Sequence, residues 1–131
     1  MIVVDASVLA NAVGDDGPGG ERARMELRDA GGLAAPDLVD VETTAVLRKR
    51  WQAKTITALR FAEAIDDLED LTIDRYPTLR FMRRAYELRD TLTAYDAAYV
   101  ALAEALSCQL LTADQRLSKA PGPRCPIRLL R

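Results

Sequence analysis

The chain has 131 residues, of which 49% are hydrophobic and 29% are charged, and its formal net charge is −2. This length and composition predict one globular domain, residues 1–131, and exclude a disordered chain. No apolar run approaches the roughly 18 residues that a membrane span needs. The apolar N-terminus has no basic segment and is interrupted by Asp5. We therefore expect a cytoplasmic protein without a signal peptide or a membrane span.

The chain contains no histidine and only two cysteines, Cys108 and Cys125. This excludes Ser-His-Asp and Cys-His catalysis and every metal site with histidine ligands, and two thiols are too few for a zinc site. Any chemistry must therefore depend on carboxylates, hydroxyls, lysine or arginine. The net charge argues against strong non-specific binding of nucleic acid, although five arginines cluster between residues 75 and 89.

The predicted elements alternate between strands and helices. In chain order, the pattern predicts a strand at 1–5, a helix at 7–12, a loop at 14–21, a helix at 21–30 and a strand at 33–36. It continues with helices at 38–53 and 57–70, a strand at 71–74, helices at 77–89 and 94–107, and strands at 109–113 and 127–130. The alternation predicts a parallel α/β sheet with helices on both faces, a three-layer fold.

Two aspartates lie at the carboxyl ends of predicted strands. Asp5 ends the first strand, and Asp114 follows the fourth strand in "LLTADQRL". Because ligands of such sheets bind beyond the carboxyl ends of the strands, we expect both side chains at the ligand-binding edge. The alternative is that each aspartate caps the helix after it, since aspartate is a preferred N-cap residue.

Glu42 lies among apolar residues in the predicted helix over 38–53. At roughly 100° per residue, the apolar arc around it consists of Leu38, Val39, Val41, Ala45 and Val46. A lone carboxylate that faces a core is unfavourable or changes its pKa unless it has a partner. Glu42 is therefore either a functional carboxylate or one half of a salt bridge, to Lys49 or to an arginine elsewhere.

Asp96 lies near the start of the apolar helix in "TAYDAAYVALAEAL". One interpretation is local, with Thr93 as the N-cap and Asp96 as the acidic residue three positions along, as in a capping box. Asp96 also shares a helix face with Tyr99, Val100 and Ala103, so its side chain is expected to point toward packed structure. A helix N-terminus favours an anion there, and the roles of cap and site are compatible.

Asp5, Glu42, Asp96 and Asp114 together form an acidic set near one edge of the predicted sheet. Four converging carboxylates repel one another, and their pKa values rise unless a cation neutralises them. Oxygen ligands without histidine or cysteine favour Mg²⁺ or Mn²⁺, which activate water for phosphodiester hydrolysis. The sequence therefore predicts a metal site with these four residues as ligands and catalytic groups.

Four segments of the chain resemble the motifs of a known family. They are "VVDASVLANAV", "APDLVDVETTAVLRK", "LTAYDAAYVALAEAL" and "LLTADQRL". In order and spacing they are similar to the motifs of the PIN domain, and most closely to those of the VapC toxins of bacterial toxin–antitoxin pairs. The similarity covers nearly the whole chain. It implies a five-stranded parallel sheet in a three-layer α/β/α domain and a Mg²⁺- or Mn²⁺-dependent endoribonuclease. It also implies a homodimer and inhibition by a cognate VapB-type antitoxin that covers the active site.

The same resemblance assigns further residues beside the acidic set. The acidic cluster of the family falls on the four carboxylates named above. Ser7 and Thr112 match hydroxyl residues near the first and last aspartates, and both are expected to bind substrate. The chain departs from many relatives at Ala45, where they carry asparagine, and at Arg116, where they carry an acidic or polar group. Arg116 argues against a fully occupied second metal site, and it either contacts the scissile phosphate or pairs with Asp114.

Two other functional classes are alternatives to the nuclease. A PIN-like module that binds protein and has lost catalysis is favoured by Ala45 and Arg116, and opposed by the intact carboxylates. A phosphatase would begin from "VVDAS", but phosphotransfer through aspartate usually needs a second aspartate where this chain has Ser7. The apolar face of the helix at 57–70 is either core or, where exposed, a surface for a second copy or an antitoxin helix.

Overall fold

A computed structural model describes residues 1–131 and contains five strands and seven α-helices. The strands are β1 (Ile2–Val4), β2 (Leu33–Pro36), β3 (Asp74–Tyr76), β4 (Leu110–Thr112) and β5 (Ile127–Leu129). The first four helices are α1 (Ala6–Gly14), α2 (Pro18–Asp29), α3 (Val39–Gln52) and α4 (Ala58–Asp70). A 3₁₀ turn (Thr78–Phe81) precedes α5 (Met82–Glu87), α6 (Ala94–Leu106) and α7 (Gln115–Ser118).

All five strands are parallel and form one sheet in the order β3-β2-β1-β4-β5. The chain moves outward from β1 in one direction through β2 and β3, then crosses back to β4 and β5. Right-handed crossovers in the two directions place α1 to α4 on one face and α5 to α7 on the other. The predicted five-stranded, three-layer α/β/α fold is confirmed. The order reverses between β1 and β4, and the crevice at such a switch point is where ligands bind.

The core forms between the sheet and the helices that cover it. β1 is buried along its whole length, and in α6 every residue from 97 to 103 is buried, so the helix packs against β1, β2 and β4. A second, smaller cluster of Val13, Leu47 and Ala64 joins α1 to the hairpin of α3 and α4. No helix is long and apolar enough to cross a membrane.

Three arginines from three different helices cap the end of α1. Arg24 of α2, Arg50 of α3 and Arg60 of α4 donate to backbone oxygens at and just beyond its last turn, over 2.9 to 3.2 Å. Cations at a helix C-terminus are favourable because the free carbonyl groups carry partial negative charge. The N-terminal end of α1 follows Asp5. These contacts therefore hold in place the helix that leads away from the edge of the sheet where the acidic set lies.

Close packing of α1 against α2 requires glycine at one position. A Cβ on Gly20 would overlap the backbone carbonyl of Asp15, which follows α1.

The predicted loop at 14–21 is wrong in extent, because α1 continues to Gly14 and α2 already begins at Pro18. Proline suits the first turn of a helix, where its missing N–H group costs nothing.

Two other predicted elements are wrong in position or type. The third strand was expected at 71–74, but β3 covers Asp74–Tyr76, whose first two residues are exposed on the edge of the sheet. The apolar residues before it, including the buried Ile73, contact the core from a loop. The helix expected at 77–89 is a 3₁₀ turn followed by the short helix α5.

Candidate functional site

Asp5 is the buried carboxylate at the centre of the site. It ends β1 and begins α1, it is 7% exposed, and its side chain makes no capping bond. Its Oδ2 atom instead accepts hydrogen bonds from the hydroxyls of Ser7, at 2.7 Å, and Thr112, at 2.8 Å. The alternative that Asp5 serves only as a helix cap is therefore not supported.

The two hydroxyls that hold Asp5 are themselves held by the backbone after β4. The N–H group of Ala113 donates to Ser7 Oγ and that of Asp114 donates to Thr112 Oγ1, each at 3.0 Å. This relay connects the carboxyl ends of β1 and β4. Thr112 is fully buried and its hydroxyl donates to Asp5, whereas Ser7 is partly exposed. That Ser7 and Thr112 bind substrate stays a prediction.

Asp114 follows β4 and caps α7. Its Oδ1 atom accepts the backbone N–H of Arg116 at 2.9 Å, so the capping alternative describes this residue correctly. The guanidinium of Arg116 lies 3.4 Å from Asp114 Oδ2, and the Arg116 side chain is 80% exposed. The pairing with Asp114 is thus present, and it is a long contact at the surface that leaves other donors of the guanidinium free.

Glu42 is held by a tyrosine and not by a cation. The hydroxyl of Tyr99, a fully buried residue of α6, donates to Glu42 Oε1 at 2.6 Å. The alternative of a salt bridge to Lys49 or an arginine is wrong. The apolar arc around Glu42 is also wrong as a core face, because Val41 is 73% exposed while Val39, Thr43 and Leu47 are the buried residues of α3.

Asp96 lies in the first turn of α6 and is partly buried. The side chain of Thr93 accepts the backbone N–H of Asp96 at 3.1 Å, which confirms the predicted N-cap. Burial raises the pKa of Asp96 most, Asp5 and Asp114 raise it further, and Arg116 lowers it. That this residue also belongs to a functional site stays a prediction.

The carboxylates of Asp5, Glu42 and Asp96 all have raised pKa values. Burial is the main cause that raises the pKa values of Asp5, Glu42 and Asp96 above their usual range. Repulsion between the carboxylates adds to it: Asp114 acts on Asp5, and Asp5 and Asp96 act on Glu42. The hydroxyls of Ser7, Thr112 and Tyr99 work in the opposite direction. An added cation would relieve this repulsion.

The donor set fits a hard divalent cation. All four groups are carboxylates, and no histidine or thiol competes with them, which suits Mg²⁺ or Mn²⁺. No three acidic or thiol side chains stand close enough together to hold a metal ion by themselves. Mg²⁺ usually needs only one or two carboxylates, with water and substrate phosphates completing its shell. The residues therefore fit the ion without forming a closed cage.

Two arginines of the cluster at 75–89 are already paired. Arg84 contacts Glu104 at 2.8 Å and Glu87 at 3.2 Å, and Arg75 contacts Asp40 at 2.7 Å. These side chains therefore join helices and strands of the domain. Arg116 is left as the arginine beside the acidic set.

Sequence reasoning missed Tyr99 as a functional residue. Its place on the same face as Asp96 was visible, but a tyrosine in an apolar helix is ordinarily a core residue. Its partner Glu42 lies 57 positions away in the sequence, so only the fold reveals the contact.

The fold and the site define an α/β domain with acidic side chains near the switch point of a parallel sheet. A family model, PIN domain, matches residues 2–123. The chain is 43% identical over 130 residues to VapC ribonuclease Mb0985 of Mycobacterium bovis, covering 99% of this chain and 98% of that protein. It is 38% identical to ribonuclease VapC1 of Mycobacterium tuberculosis, covering 98% and 97%. The chain therefore belongs to the PIN domain family, as its motifs predicted.

Solved structures share the fold at low sequence identity. VapC20 of Mycobacterium tuberculosis, described as a sarcin-ricin loop cleaving toxin, matches with a TM-score of 0.71 at 15% identity, covering 90% of this chain and 93% of that one. PAE2754 of Pyrobaculum aerophilum matches with a TM-score of 0.70 at 23% identity, covering 96% and 81%. At these identities the similarity extends to the fold alone.

Proposed function

We propose that this protein is a VapC-type endoribonuclease that hydrolyses RNA phosphodiester bonds with Mg²⁺ or Mn²⁺ as cofactor. The curated relatives over nearly the full length are named ribonucleases. The observation that carries the proposal is the set of raised pKa values at Asp5, Glu42 and Asp96, which burial causes first and which repulsion among these carboxylates and Asp114 increases further.

Asp5, Asp96 and Glu42 would hold the cation, directly or through water, and Asp114 would complete the set. When bound, the ion neutralises the carboxylates, polarises the phosphodiester and makes water a better nucleophile. Ser7 and Thr112 keep Asp5 oriented through their hydrogen bonds to Oδ2. Fixed ligands of this kind need no rearrangement as the reaction proceeds.

Asp114 and Arg116 would act on the reactants. Asp114 Oδ1 accepts the hydrogen bond that caps α7. Oδ2 has only the long contact to Arg116 and is free to accept a proton from water. The exposed guanidinium of Arg116 would contact a phosphate, which positions RNA without specifying its sequence.

The test is cleavage of a mixed cellular RNA pool by purified protein with Mg²⁺, with Mn²⁺ and with EDTA. We expect discrete fragments that require the metal and that disappear with Asp96→Asn. Arg84→Lys, a change remote from the acidic set, is the control and should cleave normally. Cleavage that persists in full with EDTA, or with Asp96→Asn, would contradict the proposed mechanism.

The second candidate is a binding module that has lost catalysis. Two features favour it: the substitutions at Ala45 and Arg116, and the absence of a closed metal cage. Calorimetric titration with Mn²⁺ discriminates between the two, because a module without catalysis should bind no ion at the carboxylates. Saturable binding that Asp5→Asn removes would support the nuclease.

A VapB-type antitoxin is the proposed protein partner. A shallow apolar groove of about 320 Å³ lies on the hairpin of α3 and α4, lined by Trp51, Ala58, Phe61, Ala62 and Ile65. Such a groove suits the apolar face of a helix. We expect the antitoxin encoded beside this chain to co-purify with it, and Phe61→Glu to weaken the complex while leaving RNA cleavage intact.

A homodimer in the cytoplasm is the proposed working form. Val41 of α3 and Leu79 of the 3₁₀ turn are 73% and 82% exposed, and we expect a second copy of the chain to cover them. Sedimentation velocity measures the mass directly. A dimer that Leu79→Asp converts to a monomer would support the proposal, and a wild-type monomer at micromolar concentration would contradict it.

A further inference from the structure

Tyr95 presents an aromatic ring with no partner beside the carboxylates. It directly precedes Asp96 in the first turn of α6, and it is 63% exposed. The other three tyrosines are engaged: Tyr99 bonds to Glu42, Tyr76 packs against the core, and the guanidinium of Arg89 lies 4.1 Å from the ring centre of Tyr86. Tyr95 is therefore the tyrosine whose ring is open to a ligand.

The position of Tyr95 on the helix places its ring at the mouth of the site. Residues four apart on a helix share a face, and Tyr99 reaches Glu42 from that face. Side chains on a helix lean toward its N-terminus, and α6 begins at the edge of the sheet where the carboxylates lie. Tyr95 therefore lies one turn toward the N-terminus from Tyr99, at the edge of the sheet where the carboxylates lie.

An aromatic ring is useful at this place because the carboxylates there do not attract RNA. The net charge of the chain is −2, and the crevice itself is acidic, so phosphates gain little from approach without a cation. Stacking of a base on an aromatic side chain depends on ring faces and not on charge. One stacked base strengthens binding by about 5- to 150-fold.

We propose that Tyr95 is a substrate-binding residue whose ring stacks on an unpaired nucleobase next to the scissile phosphate. The inference rests on the proposed ribonuclease function and deepens it, because it requires the RNA to be single-stranded at that point. Every base offers a ring face, so the contact selects unpaired structure and not sequence.

The test measures RNA binding without cleavage. Binding of a labelled single-stranded oligonucleotide that contains the mapped cleavage site is followed by fluorescence anisotropy in Mg²⁺, with the Asp5→Asn variant as parent. We expect Tyr95→Ala to weaken binding by about 5- to 150-fold and Tyr95→Phe to change it less than about twofold. Tyr86→Ala is the matched control. The side chain of Tyr86 is exposed to nearly the same extent as that of Tyr95, but the guanidinium of Arg89 lies over its ring.

Two further measurements separate stacking from other roles. The dependence of binding on salt should be the same in Tyr95→Ala as in the parent, whereas loss of one phosphate contact lowers its slope by about 1. An oligonucleotide with an abasic position beside the scissile phosphate should bind Tyr95→Ala and the parent equally, since the base that stacks is gone.

The outcomes distinguish this inference from the function on which it rests. If the parent binds RNA and Tyr95→Ala binds it equally well, stacking is overturned while the ribonuclease stands. If the parent binds no RNA and the wild type cleaves none, both are overturned. If Tyr95→Ala lowers the sedimenting mass and weakens the binding of the intact and the abasic oligonucleotide alike, the ring belongs to a contact between subunits. The inference is then overturned.

Discussion

The hydroxyl of Tyr99 lies 2.6 Å from Oε1 of Glu42 and connects the middle of α6 to the first turn of α3. Tyr99 is fully buried, so its ring is fixed by packing and the hydroxyl has one place to point. The contact leaves Oε2 of Glu42 as the oxygen available to a cation. Groups that orient a ligand in this way typically change metal affinity or activity by about 10- to 100-fold when removed.

Tyr99→Phe tests this contact. We expect the fold to be kept, because the ring remains, while Mn²⁺ affinity and RNA cleavage each fall by about 10- to 100-fold. Calorimetry gives the affinity and circular dichroism monitors the fold. Tyr86→Phe, on the surface, is the control and should match the wild type. Unchanged Mn²⁺ affinity in Tyr99→Phe would show that the hydroxyl does not position a ligand.

Asp5→Asn is expected to stabilise the metal-free protein at neutral pH. Burial raises the pKa of Asp5, so the folded state binds more protons than the unfolded state between the ordinary pKa and the raised one. Stability from this group is therefore complete at low pH and is lost as the pH rises through that window. An asparagine oxygen can accept the same bonds from Ser7 and Thr112 without carrying charge.

Urea unfolding of both proteins in EDTA, from pH 4.5 to 7.5 in steps of about 0.5, measures this difference. The free energy of unfolding of the variant minus that of the wild type should increase with pH. Taking the difference cancels the carboxylates that do not interact with Asp5, such as Asp16 and Glu26, whose pKa values are lowered by arginine partners. A difference that stays flat or decreases with pH would mean that burial does not raise the pKa of Asp5.

Thr43→Val is expected to raise the free energy of unfolding by about 1 kcal/mol. Thr43 is fully buried in α3, and its hydroxyl has no hydrogen-bond partner. A buried unsatisfied group costs about 1–3 kcal/mol, and valine has nearly the same shape. Thr43→Ser keeps the hydroxyl and loses the methyl group, so it should destabilise. Urea midpoints in EDTA measure both, and a destabilised Thr43→Val would reveal a partner for the hydroxyl.

Gly20→Ala is expected to lower the free energy of unfolding by about 1–3 kcal/mol, a typical effect of overpacking. Its Cβ would overlap the carbonyl of Asp15, so α1 and α2 would have to separate. Alanine is otherwise the better helix residue, and the loss is therefore net of that gain. Gly32→Ala, where a Cβ meets only ordinary contacts with Met1, is the matched control for the thermal melts.

The sheet and the acidic set could be predicted because local pattern and position in the sheet determine them. β1 is a continuous apolar run that ends at Asp5, and β4 is followed by Asp114, so the parallel topology alone brings these two together. β3 was misplaced because an edge strand needs no apolar run: Asp74 and Arg75 are exposed, and the apolar residues before them pack from a loop.

Long-range contacts explain what the sequence did not reveal in the site. The helical wheel of α3 drew attention to Glu42 for a wrong reason, since the predicted apolar arc contains both the buried Val39 and the exposed Val41. What makes Glu42 special is Tyr99, and that partner depends on how α6 crosses the sheet. Likewise, the arginine cluster at 75–89 includes Arg84, whose pairing with Glu104 joins α5 to α6.

The small cluster of Val13, Leu47 and Ala64 has a consequence for how the protein opens. Near its turn, the hairpin of α3 and α4 is attached to the domain through this cluster and the arginine contacts to α1, whereas Val39 and Leu68 at its other end belong to the main core. Regions with few buried contacts exchange their amide hydrogens through local opening, at a lower free energy than global unfolding. The amides in the first turns of α4 should therefore exchange before those of β1 and α6. Glu42, next to the core residue Val39 at the start of α3, would stay with the slow part, so the acidic site persists while the tip of the hairpin moves.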